Sequence, residues 1–214
     1  MKNMLKDGVF NQKLAYLYGE EAVASQCNRF VTILDNFSKV FTNRLNPQLF
    51  SAPGRTEISG NHTDHQHGCV LAAAINLETV ADVELVAENT ITVYSEGYPS
   101  FSIDLDDLQA HPEEKNTTIA LVRGVAAGFV QRGATLHGFQ MRAHSSVLPG
   151  SGLSSSAAFE VLIGTIINDL FCNGKFTPVE IAQIAQYAEN AFFGKPCGLM
   201  DQMASSVGGL VFID

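Results

Sequence analysis

Residues 148–158 read LPGSGLSSSAA, a run of glycine and serine between a strand pattern and a helix pattern. Before it, apolar residues alternate with polar ones over residues 139–144, and after it residues 157–171 are apolar with helical spacing. Glycine lets a backbone bend tightly around a ligand, and the first turn of a helix presents unpaired N–H groups and a positive dipole end. The segment therefore predicts a phosphate-binding loop.

This loop is not a Walker loop, because it ends in serines 154–156 instead of Lys-Ser or Lys-Thr. Serine hydroxyls are suited to bond phosphate oxygens or to hold Mg²⁺. The alternative is a flexible linker followed by a serine helix cap. The flanking strand and helix patterns argue against a linker.

Composition limits the classes of protein that fit. The chain has 214 residues, is 46% hydrophobic and carries a net charge of −9, which is enough for one core and leaves no basic face for nucleic acid. Four cysteines lack CxxC spacing, and we identify neither a cleavable leader nor an apolar run long enough to cross a bilayer. We expect a reduced, cytoplasmic protein with no membrane partner.

Apolar spacing divides the chain into a helical arm and a mixed region. Residues 14–41 have helical spacing, so we place an N-terminal helical arm at residues 1–45. Strand patterns follow at residues 75–81, 91–94 and 101–105, which predicts a mostly antiparallel or mixed sheet. The pattern predicts an α+β fold with helices packed on the sheet.

Two helix starts and a last strand complete this pattern. Pro112 fits the first turn of a helix that Gly133 ends, and Thr177 opens a capping box with Glu180. Residues 208–214 have a strand pattern. Because termini are usually polar and exposed, an apolar last strand suggests that a second half is missing.

The second polar cluster, residues 51–68, reads SAPGRTEISGNHTDHQHG and is interpreted as a loop between strands. Three interpretations are open. In a zinc site, the ligands would be His62, Asp64, His65 and His67. In a polyol site, His62 and Asp64 would bond sugar hydroxyls while Arg55 holds a positive charge near a transferring phosphoryl group. The third interpretation is a solvated polar turn.

The third cluster, residues 196–203, reads PCGLMDQM and sets Asp201 among apolar and small residues. A carboxylate in such surroundings needs a partner. Paired with Arg55, it would stay ionised and take the proton from a sugar hydroxyl. The alternative is a helix cap.

Together the three clusters resemble the galactokinase branch of the GHMP small-molecule kinases. The shared motifs are GR-x4-G-x-HTD (from Gly54 to Asp64), GLSSSA (from Gly152 to Ala157) and CG-x-MDQ (from Cys197 to Gln202). In that family the first motif grips the sugar, the second cradles the phosphates of ATP, and the third supplies the aspartate for phosphorylation of the anomeric hydroxyl. The resemblance implies a GHMP kinase N-terminal lobe, similar to domain 2 of ribosomal protein S5, at residues 46–214.

The resemblance also implies a role for each matching residue. Asp201 would be the catalytic base and Arg55 its charge partner. The implied sugar ligands are Asn61, His62, Asp64 and Gly198. The implied ATP-phosphate ligands are Pro149, Gly150, Ser151, Gly152, Leu153, Ser154, Ser155 and Ser156. Mg²⁺ would be held by Ser156 and Glu189.

Two departures from the family concern the sugar. Asn61 stands where galactokinases usually carry a glutamate that contacts the C6 hydroxyl, and His65-Gln66 stand where they carry Tyr-Asn. Loss of the carboxylate would relax the selectivity of the site at C6. The site would then accept a galactose-like sugar with a different group at C6, such as galacturonate.

Family members also have a C-terminal lobe that these residues do not include. We therefore expect the chain alone to be inactive or very weak, and to need that lobe to complete the site. The alternative to a kinase is a sensor that binds sugar and nucleotide without turnover. The intact GLSSSA loop, together with Asp201 and Arg55, favours catalysis.

Overall fold

The computed structural model describes residues 1–40 and 48–214, and its sheet is built around one long strand, β2 (Val70–Leu85). One edge of β2 pairs antiparallel with β1 (Gln48–Ser59). The other edge pairs antiparallel with β6 (Leu210–Ile213) and β5 (Phe139–Ser145). On the far side of β5, β3 (Thr90–Ser95) runs parallel to it and pairs antiparallel with β4 (Phe101–Asp104). The expected mixed, mostly antiparallel sheet is confirmed.

Helices cover both faces of this sheet. The helices before β1 are α1 (Lys2–Lys6), α2 (Asn11–Tyr18) and α3 (Val23–Ser38); those after β4 are α4 (Thr118–Gln131), α5 (Ser155–Cys172), α6 (Pro178–Tyr187) and α7 (Met200–Val207). Successive residues of β2 point to opposite faces. Val80 packs in a cluster with α1–α3, whereas Ala81 packs in the main core with α4–α6.

The helices before β1 are also attached by polar contacts. Buried Glu78 of β2 accepts hydrogen bonds from Tyr18 and Arg29 of these helices and from Ser51 of β1. The boundary between arm and lobe, expected at residues 45/46, lies outside the described residues and stays a prediction.

Two expected boundaries are wrong. Pro112 opens only a short 3₁₀ turn, Pro112–Glu114, and α4 begins at Thr118, because Lys115 is extended and Asn116 adopts a φ of 64°. Residues 51–59 belong to β1, so the expected loop is confined to residues 60–69. Arg55 and Glu57 therefore project from a strand.

The start of α6 agrees with its sequence signal. Thr177 and Glu180 form the expected capping box. Beyond Tyr187 the chain continues as a π-helical turn, Ala188–Phe193, which ends at Gly194 with a φ of 85°. Single π-helical turns often occur at functional sites, and this one carries Glu189.

One helix, α5, contradicts the expectation that no apolar segment is long enough to cross a bilayer. Among the described residues, α5 is long and apolar enough to cross a bilayer, with 18 residues and a mean hydropathy of 1.3, although the sequence had been expected to contain no such run. Its side chains fill the main core, where Leu162, Ile163, Ile166 and Ile167 are fully buried. Core packing therefore accounts for its hydropathy.

Candidate functional site

Arg55 of β1 connects the three clusters that the sequence singles out. Its side chain is 8% exposed, and Nε donates to Oδ1 of Asp201 at 2.7 Å. One terminal nitrogen donates to the carbonyl oxygen of Gly152 at 2.6 Å, and the other lies 3.1 Å from Nε2 of His62. The guanidinium thus holds the glycine-serine loop, the 60–69 loop and α7 around one point.

Asp201 lies in the first turn of α7, where both of its carboxylate oxygens have partners. Arg55 donates to Oδ1, and the Ser154 hydroxyl donates to Oδ2. Burial alone would raise the pKa of Asp201, but the hydrogen bonds from Arg55 and Ser154 and the charge of Arg55 outweigh it and lower that pKa. Asp201 is therefore ionised at neutral pH. It is not the cap of α7, which is Leu199.

The glycine-serine loop crosses from β5 to the start of α5. Gly150 and Gly152 have φ of 73° and 76°, which glycine adopts without strain. Ser154, the N-cap residue of α5, has a φ of 56°. The Arg55 backbone N–H donates to the Leu153 carbonyl at 3.0 Å. The loop is thus tied to β1 while the first turn of α5 faces the cleft.

A cavity of about 410 Å³ lies between this loop, Arg55 and the segment before α7. Its lining includes these predicted site residues: Arg55, His62, Gly150, Ser151, Gly152, Ser154, Ser155, Ser156, Gly198 and Asp201. The lining does not include Asn61, Asp64, Pro149, Leu153 or Glu189 among the described residues. The structure therefore brings both expected catalytic residues and most of the phosphate loop to one cavity.

The side chain of Asp64 is 3% exposed and packs directly against Gly198, which lines the cavity. Its Oδ2 accepts the Met200 backbone N–H at 2.9 Å, at the start of α7. Its Oδ1 is buried and, among the described residues, has no hydrogen-bond donor, although Nδ1 of His62 lies 3.4 Å away. Buried polar atoms usually have partners, so an orphan acceptor next to a cavity points to a ligand.

Gly198 is required by the position of Asp64. A Cβ on Gly198 would lie 1.9 Å from Oδ2 of Asp64, which no side chain can occupy. The glycine expected to contact sugar through its backbone thus has a structural role as well. Because it lets the carboxylate reach α7, it couples the 60–69 loop to the helix that carries Asp201.

Asn61 is exposed and has a φ of 54°. Asparagine tolerates this left-handed conformation better than most residues, so its identity has a backbone reason besides any contact with a ligand. The neighbouring His62 also has a positive φ, and its backbone N–H donates to Oε1 of Glu57 at 2.8 Å.

Glu189 is the buried member of the predicted metal pair, and its side chain is 4% exposed. Oε2 accepts a hydrogen bond from Nε2 of Gln202 at 2.7 Å, and Oε1 lies 3.2 Å from Nζ of Lys195. The same Gln202 nitrogen donates to Glu160 at 3.2 Å. Complete burial and then the charge of Glu189 raise the pKa of Glu160 well above its ordinary value.

Sequence reasoning missed Lys195. It lines the cavity, and the only sequence signal was a lysine directly before the PCG motif. His65 also lines the cavity, whereas the sequence motifs indicated only a zinc ligand or a departure from the family pattern at this position.

The donor atoms of the predicted site residues decide which metal ion would suit them. Across residues 1–40 and 48–214, no group of three or more His, Cys, Asp or Glu side chains is placed to hold a metal, which contradicts the zinc interpretation of His62, Asp64, His65 and His67. Ser156 and Glu189 offer a hydroxyl and a carboxylate, hard oxygen ligands suited to Mg²⁺, which takes few protein ligands and keeps water or phosphate oxygens. The residues therefore fit magnesium.

Two family models match the chain. Residues 35–84 match the galactokinase galactose-binding signature, and residues 120–209 match the GHMP kinases N terminal domain. Curated galactokinases include one from Clostridium acetobutylicum, 36% identical over 182 residues (83% of this chain, 46% of the relative). Another, from Bacillus subtilis, is 35% identical over 176 residues (80% and 44%). The chain thus spans about half the length of these relatives.

Solved structures show the same fold. The crystal structure of Lactococcus lactis galactokinase complexed with galactose matches with a TM-score of 0.77 and 29% identity, over 84% of this chain and 46% of that one. Methanococcus jannaschii mevalonate kinase matches with a TM-score of 0.67 and 17% identity, over 80% of this chain and 55% of that one, which shows the fold alone.

Proposed function

We infer the function of this chain from its family: it belongs to the galactokinase branch of the GHMP kinases and has the fold of their N-terminal domain. We propose that it contributes to ATP-dependent phosphorylation of the C1 hydroxyl of galactose or a galactose-like sugar. The observation that carries the proposal is the ion pair of Arg55 and Asp201, placed beside the glycine-serine loop in one cavity.

Asp201 is the proposed acceptor of the proton from the C1 hydroxyl as that oxygen attacks the γ-phosphoryl group of ATP. Its low pKa keeps it ionised, and Arg55 fixes Oδ1. The Ser154 hydroxyl donates to Oδ2. For Oδ2 to take the proton, the Ser154 hydroxyl must turn away, and the neighbouring phosphate site gives it an acceptor.

The phosphates of ATP are proposed to lie on the first turn of α5. The helix N-terminus and the hydroxyls of Ser154, Ser155 and Ser156 favour an anion there, and the flanking glycines leave the backbone open to it. This arrangement does not require the basic surface that a net charge of −9 lacks.

Magnesium would be held by Ser156 and Glu189 together with phosphate oxygens. When bound, it would neutralise charge that develops on the transferred phosphoryl group. The buried carboxylate of Glu189 is held in position by Gln202.

The sugar is proposed to lie against His62, Asp64 and Gly198. The unpartnered Oδ1 of Asp64 would accept a hydrogen bond from a sugar hydroxyl, and His62 would contribute a ring nitrogen. Asn61 is the residue by which this chain departs from galactokinases at the C6 end, so we propose galactose-like pyranoses with relaxed selectivity at C6.

We propose that this chain forms one side of the complete active-site cleft. The C-terminal lobe found in family members would form the opposite side. The relatives are about twice as long as this chain. We therefore propose that the chain alone has little or no turnover, that its partners are a small sugar and ATP, and that the protein is cytoplasmic.

Calorimetry on the 214-residue chain tests the proposal. Galactose, galacturonate and Mg-ATP are titrated singly and together. Binding of either sugar supports a sugar wall within this chain, and the preference between them reports on Asn61. Robust turnover by the chain alone would contradict its dependence on a second lobe. A complete protein that binds these ligands without phosphorylating a sugar would contradict the kinase assignment.

A further inference from the structure

We propose that Lys195 is a phosphate-binding residue of this site, and that it takes the place of the divalent cation on Glu189 until metal and nucleotide arrive. This inference rests on the proposed function, because it concerns the phosphates of the nucleoside triphosphate. It adds a residue to which neither the sequence motifs nor the comparisons give a role.

The first step is the position of Lys195. Its side chain is 59% exposed and lines the same cavity as Ser155 and Ser156. Its Nζ lies 3.2 Å from Oε1 of Glu189, whose side chain is 4% exposed. The ammonium group therefore sits between a buried carboxylate and the open cavity.

The second step is that Glu189 has one oxygen available for a cation. Gln202 donates to Oε2 at 2.7 Å, which leaves Oε1 as the oxygen that faces Lys195. A metal ion that binds Oε1 must displace the ammonium group. Lys195 and a divalent cation therefore compete for the same oxygen.

The third step is charge. Among the described residues that line the cavity, Arg55 and Lys195 carry the permanent positive charges. Arg55 is held by Asp201, Gly152 and His62. Lys195 has one side-chain partner in the described part of the chain and a flexible stem, so it is the cation that can change partners.

These steps define a switch of partner. Before a cation binds, Lys195 neutralises the charge of Glu189. Glu189 and the buried Glu160 accept hydrogen bonds from the same nitrogen of Gln202. When a divalent cation takes Glu189, the released ammonium group is free to bond a phosphate oxygen across the cavity. Lysine is a common phosphate ligand because its ammonium is a compact point charge.

Phosphate binding is tested by calorimetry of the chain with inorganic tripolyphosphate in the presence of Mg²⁺. We expect Lys195→Met to weaken binding about tenfold, equivalent to about 1.4 kcal/mol. Lys195→Arg keeps the charge and should remain within about threefold of the unaltered chain. The matched control is Lys175→Met, which removes an exposed lysine that is not part of the cavity lining.

Competition is tested by Mn²⁺ binding without phosphate, measured by electron paramagnetic resonance. Lys195→Met should bind Mn²⁺ several-fold more tightly than the unaltered chain, because the competing ammonium is gone. Adding Glu189→Gln to Lys195→Met should remove that gain. A merely structural lysine would not change the two affinities in opposite directions.

The outcomes separate this inference from the function on which it rests. If the unaltered chain binds tripolyphosphate and Lys195→Met binds it equally well, the role of Lys195 is wrong and the phosphate loop stands. If the unaltered chain does not bind tripolyphosphate at all, the phosphate site itself is wrong, and the role of Lys195 falls with it. Unchanged or weaker Mn²⁺ binding in Lys195→Met would overturn the competition. Circular dichroism checks folding, and Lys195→Gln replaces any variant that does not fold.

Discussion

Nε of Arg55 lies 2.7 Å from Oδ1 of Asp201, although the two residues are 146 positions apart in the chain. The pair joins β1 to α7 and sets the protonation state of the carboxylate. Burial opposes ionisation of Asp201, and the hydrogen bonds from Arg55 and Ser154 together with the charge of Arg55 outweigh burial. The proposed base is therefore kept ionised by residues that come from other clusters of the sequence.

Asp201→Asn should remove most phosphoryl transfer in a complete form of the protein. The amide keeps the size of the carboxylate but cannot take a proton, and general-base catalysis is worth about 10²–10⁴-fold. We expect at least about 100-fold loss of kcat, with sugar affinity within about threefold by calorimetry. Asp169→Asn, at an exposed position of α5, is the control. A kcat within tenfold of the parent would contradict a role for Asp201 as base.

Gly198→Ala should destabilise the chain and disturb the sugar wall. The added methyl would lie 1.9 Å from Oδ2 of Asp64, so the carboxylate must move away from Met200. We expect a loss of about 1–3 kcal/mol in the free energy of unfolding, measured with urea. Combining Gly198→Ala with Asp64→Ala removes the clash and should recover stability without restoring sugar binding. No recovery would show that the clash lies elsewhere.

Asn61 determines selectivity at C6 in our proposal, and a carboxylate at this position should tighten it. Asn61→Asp introduces the charge in a residue that also tolerates a φ of 54°. We expect the ratio of affinities for galactose and galacturonate to rise at least about tenfold, measured by calorimetry. Asn61→Gly keeps the backbone conformation without a carboxylate and serves as the control. A strict galactose preference in the unaltered chain would contradict relaxed selectivity.

Glu160→Gln should stabilise the chain at neutral pH. Burial raises the pKa of Glu160 in the folded state above its ordinary value of 4.5, so the folded state binds this proton more tightly and loses stability as the pH rises above about 4.5. A glutamine does not titrate.

The gain from Glu160→Gln should therefore be small at pH 4 and clearly larger at pH 7.5, measured by urea unfolding at both pH values. Glu88→Gln, at an exposed position before β3, should show little gain at either pH. A gain that is equal at pH 4 and pH 7.5 would show that the pKa of Glu160 is not raised.

The sequence predicted those parts of the fold that local patterns determine. The strand pattern of residues 75–81 and the capping box of Thr177 depend on neighbouring residues, and both elements are present in the structure. The expected alternation within the strand is wrong, because Leu77 is exposed and residues 78–83 are all buried between the helices on the two faces of the sheet. The helix expected at Pro112 is wrong because proline followed by two glutamates also fits a single 3₁₀ turn. The local sequence does not distinguish a 3₁₀ turn from the start of an α-helix here. The difference comes at Asn116, whose left-handed backbone conformation interrupts the helix.

The candidate site could be predicted only where a motif marks it. Arg55, His62, Ser154 and Asp201 each belong to a recognisable motif, and the structure places them in contact or close to one another. Lys195 belongs to no motif, and its position depends on the π-helical turn before it. The contact between Gly198 and Asp64 could not be predicted from local sequence either, because the two residues are 134 positions apart.

The pairing of β6 with the first four residues of β2 has a consequence for the order of synthesis. β2 carries β1 on one edge early in translation, but the β6 edge is filled only after residues 210–213 are made. At 5–20 residues per second, the 146 positions between Arg55 and Asp201 take roughly 7 to 30 seconds to make. During that interval Asp201 does not yet exist, so the ion pair can close only after α7 has been synthesised.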